Sequence, residues 1–243
     1  MVRFAMLSNA GSRDNNEDSV GMYQDGDAYC FILADGLGGH GKGEIASRTA
    51  VDAVIGEFAA NQDRRDLLNR MFQSAQEAII EKQEQDRSCA DMKTTLVIME
   101  AEPQTVQWGH IGDSRLYYFQ DGKIKARTLD HSVPQMLVAV GEIRERDIRH
   151  HPDRNRLLRV LGVEMDEPNH QLAQPVERKG RQAYLLCSDG FWELIDEKRM
   201  EASLKKAKDP QGWLDAMEEI VLKNGKNTDM DNYSAVAVWI DEV

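Results

Sequence analysis

Two apolar runs in this sequence each lead directly into an aspartate that is followed by a glycine. Residues 29–34 lead to Asp35, and residues 183–188 lead to Asp189. A short run of aromatic and aliphatic residues closed by glycine is typical of a buried strand that ends in a turn. A carboxylate at such a strand end is costly to desolvate unless a positive partner neutralises it. Acidic strand ends that converge in space need cations, so a metal site is the first hypothesis.

Further acidic residues occupy similar positions. Asp113 follows the apolar residues 106–111, and Asp231 comes just before the apolar residues 234–240. Near the start of the chain, Glu17 and Asp18 are adjacent. Because neighbouring side chains of an extended segment point to opposite faces, we expect one of these two to reach an ion only through a water molecule.

Together these acids form an oxygen-rich candidate set without clustered cysteine or histidine. The set consists of Asp18, Asp35, Asp113, Asp189 and Asp231, with Glu17 beside them. Hard cations such as Mn²⁺ and Mg²⁺ prefer oxygen ligands, whereas zinc usually selects cysteine and histidine. Two ions about 3.5–4 Å apart could share Asp35, acidify a bridging water and direct it at phosphorus. Arg13 would bind phosphate oxygens through paired hydrogen bonds from its planar guanidinium.

The hydrophobic pattern predicts an α+β domain. Apolar residues recur at helical spacing in 43–60 and 64–84. Strands are predicted at 2–8, 19–24, 28–34, 94–101, 105–111, 115–120, 123–128, 181–187 and 234–240, and further helices at 133–140, 197–207 and 210–223. Because the candidate ligands run from residue 18 to residue 231, we expect a single domain over residues 1–243.

Composition excludes several classes of protein. The net charge of −12 over 243 residues argues against broad nucleic-acid binding, which normally needs a basic stripe. No apolar run approaches the ~18–20 residues that span a bilayer, and no signal peptide is visible, so no membrane partner is expected. Three widely spaced cysteines suit a reducing compartment. The sequence therefore predicts a cytoplasmic protein.

Seven stretches carry a family resemblance. They are RDNNED at 13–18, ADGLGGHGKGEIAS at 34–47, GHIGDSRLYYF at 109–119, LDHS at 129–132, RVLG at 159–162, CSDGFWE at 187–193 and DMDNYSAVAV at 229–238. Each alone is weak, because Asp-Gly and Gly-Asp-Ser are common in turns. In this order, and over nearly the whole chain, they resemble the metal-dependent serine/threonine protein phosphatases (the PPM, or type 2C, family) in their compact bacterial form.

This resemblance implies a fold and a set of roles. The implied fold has two antiparallel β-sheets packed as a sandwich, flanked by helices on both sides. The core ions would be bound by Asp35, the Gly36 carbonyl, Asp189 and Asp231, with Asp18 binding directly or through water and Glu17 through water. A weaker third ion would lie at Asp113 and Asp189, near Glu193, and Arg13 would bind substrate phosphate. The residues expected to act in catalysis are Arg13, Asp35 and Asp231.

The leaving-group acid has no clear candidate. Many eukaryotic members place a histidine directly after the Asp-Gly pair, but this chain has Leu37 there and His40 three residues later. A metal-bound water could take that role instead. Elsewhere, His110 is expected within a strand, and surface positions are favoured for His131, His150 and His151.

The resemblance implies metal-dependent hydrolysis of phosphoserine and phosphothreonine on proteins, with Mn²⁺ or Mg²⁺ as cofactor. The partners would be phosphorylated proteins and a bacterial serine/threonine kinase that the enzyme opposes, and a monomer is expected. An irregular segment at 132–170 is expected to be a mobile flap that selects substrates.

Two alternatives to this function stay open. One is a phosphoprotein-binding regulatory module without turnover, and the other is a metal-dependent phosphodiesterase or nuclease.

Overall fold

Twelve strands and six helices build the part of the chain that the computed structural model describes, which is residues 1–38, 42–164 and 169–241. The strands are β1 (Val2–Asn9), β2 (Asp18–Asp25), β3 (Ala28–Leu37), β4 (Lys93–Thr94), β5 (Leu96–Ala101), β6 (Thr105–Ile111), β7 (Arg115–Gln120), β8 (Lys123–Arg127), β9 (Gln171–Leu172), β10 (Val176–Glu177), β11 (Gln182–Cys187) and β12 (Tyr233–Ile240). The helices are α1 (Gly43–Ala60), α2 (Leu67–Gln85), α3 (Val133–Ala139), α4 (Asp189–Trp192), α5 (Glu197–Lys206) and α6 (Pro210–Gly225), and short 3₁₀ helices cover Arg87–Cys89 and Glu145–His150.

The strands form two antiparallel sheets. Sheet A has the order β1-β12-β11-β7-β8. Sheet B has the order β10-β6-β5-β3-β2, with β4 added beside β3 and β9 beside β6. Helices α1 and α2 cover sheet B, and α5 and α6 cover sheet A. This arrangement is the helix-flanked sandwich that the family resemblance implied.

Successive side chains of a strand point to opposite faces of the sheet, and this alternation explains how the sheets and helices pack in layers. In β3, Phe31 and Leu33 point between the sheets, while Ile32 packs against the α1 and α2 side. In β11, Leu186 points between the sheets and Leu185 faces the α5 and α6 side. Both faces of these strands are apolar because a layer covers each of them. The continuous apolar runs of the sequence are therefore central strands.

Several boundaries differ from the sequence prediction. Helix α2 begins at Leu67 rather than at residue 64, because Asp66 adopts a left-handed backbone conformation with φ of 56°. The strand expected at 94–101 is interrupted at Thr95, whose N–H donates to the Asp35 carbonyl at 2.9 Å. Asp189 begins a short helix, where the sequence indicated only a turn.

The histidine predictions have mixed outcomes. His110 lies in β6 and His150 is exposed, as expected. The surface position favoured for His131 is wrong, because its ring is half-buried and stacks on His110 with the ring centroids 4.6 Å apart. Stacking gives this imidazole an environment that hydrophobic periodicity cannot reveal.

Membrane spanning receives no support from the described residues. None of the helices within 1–38, 42–164 and 169–241 combines the length and the apolar character that crossing a bilayer requires.

A buried acid lies in sheet B, at Glu100 of β5. This side chain is 5% exposed, and its Oε1 atom has no hydrogen-bond partner among the described residues. The pKa of Glu100 is raised to about 7, chiefly by burial and also by the nearby Glu102, whereas Arg64 and Arg70 oppose the shift. Because the folded-state pKa is raised, ionisation of this group costs stability as pH rises from the ordinary glutamate range to about 7.

We therefore expect Glu100→Gln to stabilise the protein at pH 8 by about 1–3 kcal/mol, because the amide carries no charge to desolvate. At pH 5 the gain should vanish, since Glu100 is already protonated in the folded protein. Urea denaturation at both pH values measures the difference. The exposed Glu84→Gln serves as control, and a Glu100→Gln variant that is no more stable than the parent at pH 8 would contradict the expectation.

Candidate metal centre

The acidic strand ends meet at one edge of the sandwich. Asp18 begins β2 and lies directly opposite Asp35 in the β2–β3 ladder. Asp113 occupies the turn between β6 and β7, and Asp189 follows β11 as the first residue of α4. Asp231 precedes β12 by two residues. Strands from both ends of the chain thus bring their carboxylates to the same place.

A cavity of about 430 Å³ opens at this edge. Its lining includes the predicted site residues Arg13, Glu17, Asp35, Gly36, Asp113, Asp189 and Asp231, together with Asn15, Leu37, Gly38, Asn155, Leu157 and Asn232. Asp18 is the predicted ligand that does not line it. Glu193 lines a neighbouring cavity and pairs there with Arg154 at 3.2 Å.

Asp18 is buried behind this cavity with one oxygen unpaired. Its Oδ2 accepts a hydrogen bond from the Ser188 hydroxyl at 2.7 Å, but its Oδ1 is buried without a partner among the described residues. Burial raises the pKa of Asp18 to about 7, and the charges of Asp189 and Asp231 add to the shift. A buried carboxylate oxygen without a donor is costly, so this side chain fits a site completed by a cation.

The carboxylates in the cavity raise one another's pKa. Burial raises the pKa of Asp35 well above its usual range, and Asp18 and Asp189 raise it further. The pKa of Asp189 rises to about 6 through burial and the charge of Asp231, while a hydrogen bond with Asp35 lowers it. Asp113 also has a raised pKa because it is buried and faces Asp189. Without cations, burial and mutual repulsion therefore favour the protonated forms of these carboxyl groups.

Arg13 supplies positive charge at the open side of the cavity. Its Nε donates to Asp231 Oδ1 at 3.2 Å, and its Nη2 donates to Asp231 Oδ2 at 3.1 Å. The same guanidinium lies 3.7 Å from Asp229. The pKa of Arg13 is raised chiefly by the charge of Asp231. Both oxygens of Asp231 are therefore occupied by an arginine that the sequence assigned to phosphate.

No three side chains of aspartate, glutamate, histidine or cysteine within the described ranges already converge on one point as a finished set of metal ligands. In the structure Asp18 instead accepts a hydrogen bond from Ser188, and Asp231 accepts from Arg13. The donor set is nevertheless one of hard oxygen atoms, which suits Mn²⁺ or Mg²⁺.

Close backbone contacts explain why glycine follows Asp35. The Gly36 N–H donates to the Glu17 carbonyl at 3.1 Å. A side chain at Gly36 would collide with the backbone carbonyls of Gly43 and Glu17. Gly36 therefore lets the Glu17 segment and the start of α1 approach the end of β3.

Two supporting residues were missed by the sequence analysis. Asn232 accepts from the Glu17 N–H at 2.8 Å, and its amide donates to the Ala10 and Asn15 carbonyls at 2.9 Å each. Ser188 holds Asp18 and also accepts from the Ser234 N–H at 2.9 Å. Each lies next to a predicted ligand, and that adjacency is the signal that could have identified them.

The leaving-group acid is not found among the residues around Asp35. Leu37 lines the cavity and has no proton to donate. His40, the other residue considered, lies outside the described residues.

Comparison with known proteins gives consistent matches. A serine/threonine phosphatase stp of Listeria monocytogenes is 32% identical over 200 residues, which is 79% of this chain and 79% of that protein. The crystal structure of the Mycobacterium tuberculosis serine/threonine phosphatase PstP/Ppp superposes with a TM-score of 0.85 at 30% identity, and the match covers 99% of both chains. The catalytic domain of PstP in complex with two manganese ions gives a TM-score of 0.80 at 29% identity, again over 99% of both chains.

These structures confirm the predicted fold. The family model described as protein phosphatase 2C matches residues 8–232, a range that contains every predicted site residue. The chain therefore belongs to the protein phosphatase 2C family.

Proposed function

We propose that this protein hydrolyses phosphoserine and phosphothreonine on other proteins with two divalent cations held by the acidic cavity. Its class, a protein serine/threonine phosphatase, follows from its family and its relatives. The observation that carries the finer proposal is the convergence of acids from residue 18 to residue 231 on one edge. The same convergence supports a single domain over residues 1–243.

The proposed ligands are the acids already described. Asp35, the Gly36 carbonyl, Asp189 and Asp231 would hold the core ions, with Asp18 directly or through water and Glu17 through water. Asp113 and Asp189 would hold a weaker third ion. When bound, the cations supply the Lewis acidity that makes a water molecule shared between them nucleophilic towards phosphorus. Manganese is the better supported choice, because a similar structure was solved with two manganese ions.

The protein's own residues bind and orient the substrate. Arg13 faces the cavity with 47% of its side chain exposed, so a phosphate group can reach its guanidinium. Two parallel N–H donors suit two phosphate oxygens as they now suit the carboxylate of Asp231. Asn232 holds the backbone of Glu17 and therefore fixes the loop that carries Arg13.

Phosphorylated proteins are the proposed substrates. The enzyme would remove phosphate groups that a bacterial serine/threonine kinase adds to them. The acidic net charge of −12 disfavours the nuclease alternative, because nucleic acid would be repelled. Action as a monomer in the cytoplasm belongs to the same proposal.

Asp35→Asn and Asp231→Asn should each lower Mn²⁺-dependent hydrolysis of an aryl phosphate at least about a thousandfold, because each removes a charged ligand from ions that supply several kcal/mol. The exposed Asp52→Asn in α1 is the control and should keep parental activity. Chelator should abolish activity in the parent. Full activity with chelator, or in both cavity variants, would refute the metal mechanism.

Parallel assays separate the alternatives. Tight phosphopeptide binding without phosphate release under Mn²⁺ would favour the binding module. Faster cleavage of single-stranded DNA than of phosphopeptide would favour the nuclease.

Mn²⁺ binding should weaken as pH falls from about 7 to about 6, because Asp18 and Asp189 bind protons in that range when no cation is present. Calorimetric titrations in buffers of different ionisation enthalpy measure the protons released. Mn²⁺ binding with no proton release at pH 6 would show that these carboxylates are already ionised.

The segment 132–170 is proposed to select substrates, since Asn155 and Leu157 line the cavity. Replacing it with the corresponding segment of another family member should change the ratio of kcat/KM between two phosphopeptides. Hydrolysis of a small aryl phosphate provides the control, because such a substrate has no peptide to contact the segment. An unchanged peptide preference would rule the role out.

A further inference from the structure

His131 holds both backbone polar groups of Gly112, the residue before Asp113. The His131 N–H donates to the Gly112 carbonyl at 2.8 Å, and the Gly112 N–H donates to His131 Nδ1 at 3.2 Å. One residue therefore determines the path of the backbone that leads into the Asp113 turn.

The opposite side of this turn is also closely packed. Gly112 has φ of +99°, a conformation that favours glycine, and a side chain there would lie 2.6 Å from the Thr95 Cβ atom. Thr95 in turn donates its N–H to the Asp35 carbonyl and contacts the Ser114 hydroxyl at 2.8 Å. The turn is thus held between His131 and the residues that support Asp35.

His131 also reaches the rim of the cavity. Its carbonyl accepts from the Leu158 N–H at 2.8 Å, and the next residue, Ser132, forms a β-bridge with Leu157. Leu157 and the nearby Asn155 line the cavity. Contacts of a single residue therefore connect the Asp113 turn to the segment 155–158.

The imidazole is fixed in the state that this role requires. It stacks on His110 at an interplanar angle of 13°, and His110 Nε2 lies 2.7 Å from the Leu129 carbonyl. Because Nδ1 accepts from Gly112, the ring must be neutral. The pKa of His131 is lowered to about 3, chiefly by burial and also by the charges of His110 and Arg159, while Asp130 opposes the shift. The acceptor is therefore available throughout the neutral range.

We propose that His131 is a positioning residue that clamps the Asp113 turn to the cavity rim at 155–158, and so sets both cation affinity and substrate binding. This inference rests on the proposed function of the cavity. His131 touches no reacting atom. It acts through Gly112 and Leu158.

Two variants separate the effect of the His131 hydrogen-bond acceptor from the effect of its stacked aromatic ring. His131→Leu removes the Nδ1 acceptor, whereas His131→Asn keeps an acceptor oxygen near the same position. His170→Leu is the matched control, because His170 also stacks on an aromatic ring, that of Phe72 at 4.4 Å, and hydrogen-bonds Asn69 away from the cavity. Thermal unfolding reports the stability of all three variants.

His131→Leu should weaken Mn²⁺ binding by about tenfold or more in calorimetry, the usual loss when a supporting partner of a ligand is removed. It should also raise KM for a phosphopeptide and accelerate amide hydrogen exchange at Gly112 and Leu158. His131→Asn should restore most of the Mn²⁺ affinity. His170→Leu should lose stability while keeping parental Mn²⁺ affinity and KM.

Parental Mn²⁺ affinity and exchange rates in His131→Leu would overturn the proposal, as would a His131→Asn variant as impaired as the leucine one. Calorimetry and hydrogen exchange need no turnover. Failure of the parent to release phosphate would therefore refute the proposed function, while these two measurements would still decide whether His131 is a clamp.

Discussion

Confinement of negative charge at one edge of the sandwich is the constraint on which the rest of the structure depends. Asp35, Asp113, Asp189 and Asp231 line a single cavity with Asp18 buried behind it, and burial raises the pKa of most of these acids. Within the protein, Arg13 offsets part of this charge through two hydrogen bonds to the carboxylate of Asp231. One half-exposed arginine does not neutralise several buried carboxylates, so this oxygen-rich cavity suits a divalent cation.

Support for this edge comes from a buried arginine behind it. Arg115 is 2% exposed and donates to both oxygens of Asp130 at 2.8 and 2.7 Å. Its guanidinium also lies over the Trp192 ring, 3.4 Å from the centroid, and Trp192 Nε1 donates to the Asp113 carbonyl at 3.0 Å. A buried ion pair is retained only when its geometry satisfies the donors. Here the satisfied pair orders the turn and the helix that carry two of the acids.

Much of the fold was predictable because its signals are local. Asp121 and Gly122 both have positive φ, and such a turn follows from the Asp-Gly pair alone. The site acids were predictable for the same reason, as each ends or begins an apolar run. The environments of Asn232 and His131 were not, because their partners lie far away along the chain. Asn232 accepts from Glu17, 215 residues earlier, and His131 exchanges hydrogen bonds with Gly112, which precedes it by 19 residues with β7 and β8 between them. Such roles arise only from tertiary packing.

The position of β12 in sheet A has a consequence for synthesis on the ribosome. β12 is the last of the described strands, yet it pairs with β1 on one side and β11 on the other. Until it emerges, β1 has no partner in sheet A and Asp231 is missing from the cavity. Contacts between such distant segments form late. A nascent chain that has not yet reached β12 therefore lacks both the sheet partner of β1 and one acid of the cavity, and we expect it to be inactive.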